Sequence, residues 1–308
     1  MSRYSGPIID AHHHLWAYGM GRHGWLGSDG GDGDGLPMGS LAPLRRDYLV
    51  AGYLAETAGQ GVVATVHVEA GWDGPPGSET AWLDTLDRSA VARRHVFRVD
   101  LGLPEAAELV RAEAAHPRAA GLRDIVAWHP DPARSFAAAA GRMSDPAWRR
   151  GLAALAETGL VFELMLYPPQ MAEAEALARD FPDLTFVLNH CGSPADRSAA
   201  GMADWAAGLA RLGACPNVCL KISNPVAYDH DWTGESLGAV IGTCLDAFGP
   251  QRSLFGSDLP VSGLQAEFGA LLDVYRSRLS VLPEADQRAF FHDTAVRIYR
   301  IAPEAQEA

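Results

Sequence analysis

Cysteine is scarce in this chain. The four present, Cys191, Cys215, Cys219 and Cys244, all lie in the second half and none has C-x-x-C spacing. This excludes a zinc knuckle and a disulfide framework and points to reduced thiols in a cytoplasmic protein. Only Cys191 stands out, because it follows His190 directly. Positive charge is also in deficit: 25 lysines and arginines face 38 aspartates and glutamates, a formal net charge of −13. Such a balance argues against nucleic acid or an anionic membrane surface as a partner. No apolar run approaches the roughly 18–20 residues of a membrane span. The N-terminus shows neither the basic nor the apolar region of a secretory signal, so a cytoplasmic location is expected. A glycine-rich dinucleotide fingerprint is missing after the first apolar run.

What is present is a repeating unit. The 308 residues, 48% of them apolar, are enough to bury a large core, and one domain over 1–308 is expected. Short apolar runs fall at 8–12, 62–68, 96–101, 121–126, 161–166, 185–190, 218–222 and 253–256. Amphipathic, alanine-rich stretches lie near 47–59, 79–94, 104–115, 145–158, 170–180, 201–213, 233–248 and 263–279. Ser144-Asp145-Pro146 supplies a helix cap followed by a first-turn proline, and Leu103-Pro104-Glu105 reads the same way. Eight β/α alternations predict a parallel (β/α)₈ TIM barrel in the α/β class rather than an open doubly wound sheet. The segment 27–40 breaks the rhythm with glycine and aspartate. It looks superficially like a calcium loop but has no glutamate at position twelve, so a flexible loop over the first strand is expected. Trp16, Tyr18 and Trp25 bracket it and could contribute to a lid. The tail from 302 to 308 is expected to fray.

Barrel enzymes carry their sites at the C-terminal ends of the strands. The first strand ends in Asp10-Ala11-His12-His13-His14, where the i, i+2 spacing sets His12 and His14 on one face and His13 on the other. The second strand offers His67 or Glu69, the fourth Arg123 with His129 beyond it, and the fifth Tyr167. The sixth offers Asn189 or His190, the seventh Ser223 or Asn224, and the eighth Asp258. Imidazoles and a carboxylate at one mouth can hold a divalent metal with an open position. Arg123 has either a substrate group or a structural carboxylate, such as Asp124 or Asp100, as its partner. Lys221 is either core-facing or solvated.

Several segments together resemble the amidohydrolase superfamily, in its amidohydrolase-2, lactonase-type branch. They are Ile-Asp-Ala-His-His-His-Leu-Trp at 9–16, Gly-Leu-Arg at 121–123, Leu-Asn-His-Cys-Gly at 188–192, Asn-Val-Cys-Leu-Lys-Ile-Ser at 217–223 and Leu-Phe-Gly-Ser-Asp-Leu-Pro at 254–260. The resemblance implies a TIM-barrel hydrolase with His12, His14, His190 and Asp258 as its site. Arg123, Glu69, Trp16, Tyr167 and Asn224 complete the candidate substrate-binding set. A bridging lysine or glutamate on strand four and a histidine on strand five are missing, which speaks against a two-metal centre. One divalent ion, zinc or manganese, or metal-free catalysis by the histidines and aspartate are the two expectations. The reaction expected is hydrolysis of a sugar-acid lactone or a carboxylated pyrone or muconolactone. Decarboxylation of an aromatic acid, amide hydrolysis and non-catalytic binding of a small molecule are the alternatives. Self-association into a homo-oligomer is compatible with this class.

Overall fold

The computed structural model describes residues 2–27, 33 and 35–302. Expectations for the centre of the glycine-rich loop, including calcium, and for the last six residues fall outside the described residues. The eight strands are β1 (Ile8–His13), β2 (Val62–Val68), β3 (Arg94–Arg98), β4 (Ala119–Arg123), β5 (Val161–Leu164), β6 (Phe186–Leu188), β7 (Val218–Ser223) and β8 (Ser253–Gly256). They pair in parallel and in sequence order. The seam between last and first strand is closed at the mouth: Asp258 N–H donates to His12 O (2.7 Å) and His14 N–H to Leu259 O (2.8 Å). The fold is the expected (β/α)₈ barrel.

Helices follow each strand: α1 (Val50–Glu56), α2 (Ser78–Asp84), α3 (Ala106–Ala114), α4 (Pro146–Ala156), α5 (Met171–Asp180), α6 (Ala199–Gly213), α7 (Gly234–Phe248) and α8 (Phe268–Leu279). The Asp145 carboxylate caps α4 by accepting from Ala147 N–H, as the sequence signalled. The stretch expected to be helical to residue 94 ends at Asp84 instead. Ser89 and Ala92 take left-handed φ values of 44° and 50°, and Ala92 N–H donates to Thr65 Oγ1, drawing the chain toward β3.

Alternation along the strands sorts side chains into two cores. Phe162, Phe186, Leu220 and Phe255 face the helices, whereas Ile9, Val66, Val96, Val161, Val187 and Leu254 fill the barrel. Two further helices, α9 (Glu284–Arg288) and α10 (Thr294–Tyr299), were not expected from the sequence; a π-turn joins them. Helix α10 buries Ala295, Ile298 and Tyr299 against the barrel interior and so forms its floor. Among the described residues, no helix is long and apolar enough to cross a membrane.

Candidate active site

The chain turns sharply as β6, β7 and β8 end. His190, Cys191, Asn224 and Asp258 all adopt positive φ, at 49°, 57°, 44° and 61°. Non-glycine residues seldom take this conformation, and such strain concentrates at functional positions. Its effect here is to bring His190, Asn224 and Asp258 to one point. The β1 strand delivers His12 and His14 to the same place, while His13 turns away to Thr65 Oγ1 (2.7 Å) and the Tyr53 ring of α1.

Asp258 is the hub. Its Oδ1 lies 3.1 Å from His14 Nε2 and 3.3 Å from His12 Nε2, and its Oδ2 accepts from Asn224 Nδ2 at 2.6 Å. Burial acts to raise its pKa, but the His190 and His14 imidazoles and the Asn224 amide outweigh this and hold it below the usual carboxylate value. His12 is fully buried, and burial, reinforced by the Lys221 ammonium, holds it well below its ordinary pKa. Burial likewise brings His190 down to about 4, against the pull of Asp258. At neutral pH the site therefore pairs neutral imidazoles at His12 and His190 with an ionised carboxylate.

Asp10, beneath this cluster, holds the seam. Its carboxylate accepts from Ser257 N–H (2.8 Å), Ser257 Oγ (2.6 Å) and Tyr53 OH (2.7 Å), fixing the residue next to Asp258. His14 Nδ1 lies 2.7 Å from the Val68 carbonyl, which can only accept, so that partner assigns the ring proton to Nδ1. The Nε2 lone pair then faces Asp258 Oδ1, an opposition that a proton or a cation between them relieves. Neither ring nitrogen of His12 makes a well-formed hydrogen bond, Nε2 only standing 3.3 Å from Asp258 Oδ1. Buried polar atoms rarely go unsatisfied, and here they point at a ligand. Donor atoms of His12, His190 and Asp258 lie within 4.8 Å of one another, and nitrogen and oxygen donors of this kind suit a divalent ion such as zinc. His14 stands beside this trio rather than within it.

The cluster opens into a cleft of ≈ 560 Å³ that His14, His190, Asp258, Glu69 and Arg123 line. Arg123 does not pair with Asp124 or Asp100. Its Nε donates to Glu69 Oε1 (2.6 Å) and one terminal nitrogen to Glu69 O (2.7 Å). Burial acts to raise the Glu69 pKa, but Arg123 and Arg98 outweigh it and keep the carboxylate ionised. Asp124 and Asp100 instead hold Arg142, at 2.6 and 2.8 Å.

Three expected substrate contacts lie elsewhere. Trp16 is fully buried behind the mouth, donating to Arg46 O, and Trp25 lines the cleft in its place. Tyr167 is spent on Arg134 O (2.7 Å) and packs behind Phe136. Asn224 reaches the site by holding Asp258 rather than by lining the cleft. His67 faces outward to Glu79 (3.1 Å), and His129 stays on its own loop, its backbone N–H donating to Ser135 Oγ. Asn189 and Lys221 point into the barrel below the mouth, both onto Glu163. Arg98 escaped the sequence reading although it lines the cleft. The strand-end rule would have found it had the third strand been read to end at Arg98 instead of Leu101.

A barrel mouth that gathers histidines around one carboxylate has the groups that hydrolytic chemistry needs. The chain is a member of the amidohydrolase family, whose sequence profile matches residues 9–301. It is 32% identical over 316 residues to an L-fucono-1,5-lactonase of Burkholderia multivorans, covering 97% of this chain and 98% of that protein. It is 31% identical over 296 residues to the uncharacterized protein y4mH of Sinorhizobium fredii, covering 96% and 98% of the two chains. A solved amidohydrolase from Burkholderia multivorans with bound zinc shares 28% identity at a TM-score of 0.80, covering 96% of this chain and 100% of that one.

Proposed function

We propose that the enzyme hydrolyses a carboxylic ester in the form of a lactone. The observation that carries this reading is the buried, ionised Asp258 with imidazoles converging on one of its oxygens at the mouth of the cleft. Asp258 accepts a proton from water as the water oxygen forms its bond to the lactone carbonyl carbon. His12 and His190 would stand beside the carbonyl oxygen, His14 would keep its Nε2 lone pair toward Asp258, and the N–H groups of Arg123 not engaged by Glu69 are free to donate to the carbonyl. When the tetrahedral centre collapses, the ring C–O bond breaks and Asp258 returns its proton to the leaving alkoxide, giving the open hydroxy acid. His12, His190 and Asp258 would hold a divalent ion, zinc or manganese, which supplies Lewis-acid polarisation of the carbonyl and a lowered pKa for water. The substrate is a small molecule, and the lactonase name of the Burkholderia multivorans relative supports the choice of ester over amide.

The test is a panel of aldonolactones, pyrones and muconolactones with acid release followed by a pH indicator, run with chelator and then with added zinc or manganese. Turnover of a lactone that chelator abolishes and metal restores is expected. Turnover unchanged by chelator would leave Asp258 and the histidines acting alone. No turnover across the panel, with metal present and the fold intact, would overturn the lactonase reading.

A further inference from the structure

Building on the lactonase reading, we infer that the site takes an uncharged lactone bearing an apolar substituent, which lies against a wall formed by Trp25, Leu36, Met38, Ile125, Phe136 and Met165. Charge argues for the first half. Within the cleft, the charge of Arg123 is matched by Glu69, and that of Arg142 by Asp100 and Asp124. Asp73 and Asp258 add two more carboxylates to the lining. Arg98 is the remaining cation of the lining, and it is exposed at the rim. It is shared with a neighbouring cavity of ≈ 290 Å³ that Asp73 and Asp100 also line. A substrate carboxylate would thus enter a cleft in which acidic side chains outnumber basic ones, with Arg98 at the rim as the remaining cation of the lining.

The wall argues for the second half. Ile125 and Phe136 pack with Ala127, Met165 and Tyr167 in a small cluster separate from the two cores of the barrel. The cores are complete without it, so its half-buried rings and methyls are available to a ligand. Across the cleft, the segment carrying Leu36 and Met38 is pinned in place. His230 Nε2 lies 2.7 Å from Pro37 O, and Gln265 Nε2 donates to Met38 O at 3.1 Å. The wall is therefore formed before the ligand arrives. A cleft of this size has space well beyond a bare lactone ring, and the apolar side is where that space is lined.

The experiment measures two things on the metal-supplemented full-length enzyme: kcat/KM for δ-lactones, and calorimetric affinity for matching cyclohexanones, which cannot be hydrolysed. Each ring bears no substituent, a pentyl chain, several hydroxyls or a carboxymethyl group. Affinity and kcat/KM should rise about fourfold for each methylene that reaches the wall, with the carboxymethyl rings weakest. Phe136→Ser and Met38→Ser should each cut the pentyl preference by about tenfold or more, leaving the unsubstituted lactone within about threefold of its normal turnover. That unsubstituted turnover also serves as the check on folding. Tightest binding of the carboxymethyl ring, lost in Arg98→Gln, would overturn the inference, as would tightest binding of the hydroxylated ring. Preference for the pentyl ketone with no lactone turned over would sink the lactonase reading while upholding the uncharged, apolar-substituted ring as the ligand.

Discussion

Two groups of buried polar side chains sit inside the same barrel, one at the mouth and one toward the floor, and they are built on opposite lines. In the lower group Lys221 Nζ lies 2.9 Å from both oxygens of Glu163, Tyr299 OH donates to Oε1 at 2.5 Å, and the Asn189 amide donates to Oε2. Both charges are matched, and Glu163 and Lys221 lie within regular strands, β5 and β7. In the upper group one carboxylate meets several imidazoles, the ring nitrogens of His12 make no well-formed hydrogen bond, and His190, Asn224 and Asp258 stand in left-handed backbone. Burial is common to both, so burial alone does not mark a site. Incomplete pairing combined with backbone strain separates chemistry from architecture here.

Five substitutions, two of them combined in a double variant, would break or sharpen that contrast. The largest effect belongs to the mouth: Asp258→Asn should lower kcat by about 10²–10⁴-fold with an unchanged circular dichroism spectrum. Near-normal turnover would remove Asp258 as the base. On the lower group, Lys221→Met leaves the Glu163 carboxylate buried without its cation and should cost about 3–5 kcal/mol in urea unfolding. The double variant Lys221→Met/Glu163→Leu should recover part of that loss, and a double variant no more stable than the single one would refute the pairing argument. Tyr299→Phe removes one hydrogen bond to a buried carboxylate and should cost about 1.5–3 kcal/mol while kcat/KM stays within about twofold; a large fall in kcat would mean that the floor takes part in catalysis.

The smallest effect lies behind β2. Burial, followed by the nearby Glu69 charge, raises the pKa of Glu79 to about 7 from its ordinary 4.5. Because the folded value is the higher one, its contribution is complete below about pH 4.5 and fades as pH rises through about 7. Wild-type enzyme should accordingly lose on the order of 2 kcal/mol from this group between pH 5 and pH 8. Glu79→Gln should flatten that part of the slope when urea midpoints are compared at the two pH values; an unaltered slope would exclude Glu79 as its source.

Much of this was legible in the sequence. Periodicity marked all eight strands, because each alternates between two apolar environments, and the strand-end rule reached His12, His14, His190, Arg123 and Asp258. The errors have physical causes. Trp16 and Tyr167 are large amphipathic side chains near the mouth, and sequence does not reveal that backbone carbonyls of Arg46 and Arg134 already engage their polar ends. Asn224, expected among the substrate contacts, stands in left-handed backbone with its amide on Asp258. Lys221 could not be assigned a face until Glu163, 58 positions away, was seen beside it. The floor helix went unread because its apolar residues match a surface that exists only after the barrel has closed.

That closure has a consequence for when activity can appear. His12 and Asp258 come from the two ends of the strand order and meet across the seam, where the backbone of one bonds to the backbone of the other. A nascent chain that has finished β7 holds most of the barrel but lacks Asp258. During synthesis or refolding, regain of turnover therefore times the joining of the first strand to the last, and a partly wound barrel is silent rather than weakly active.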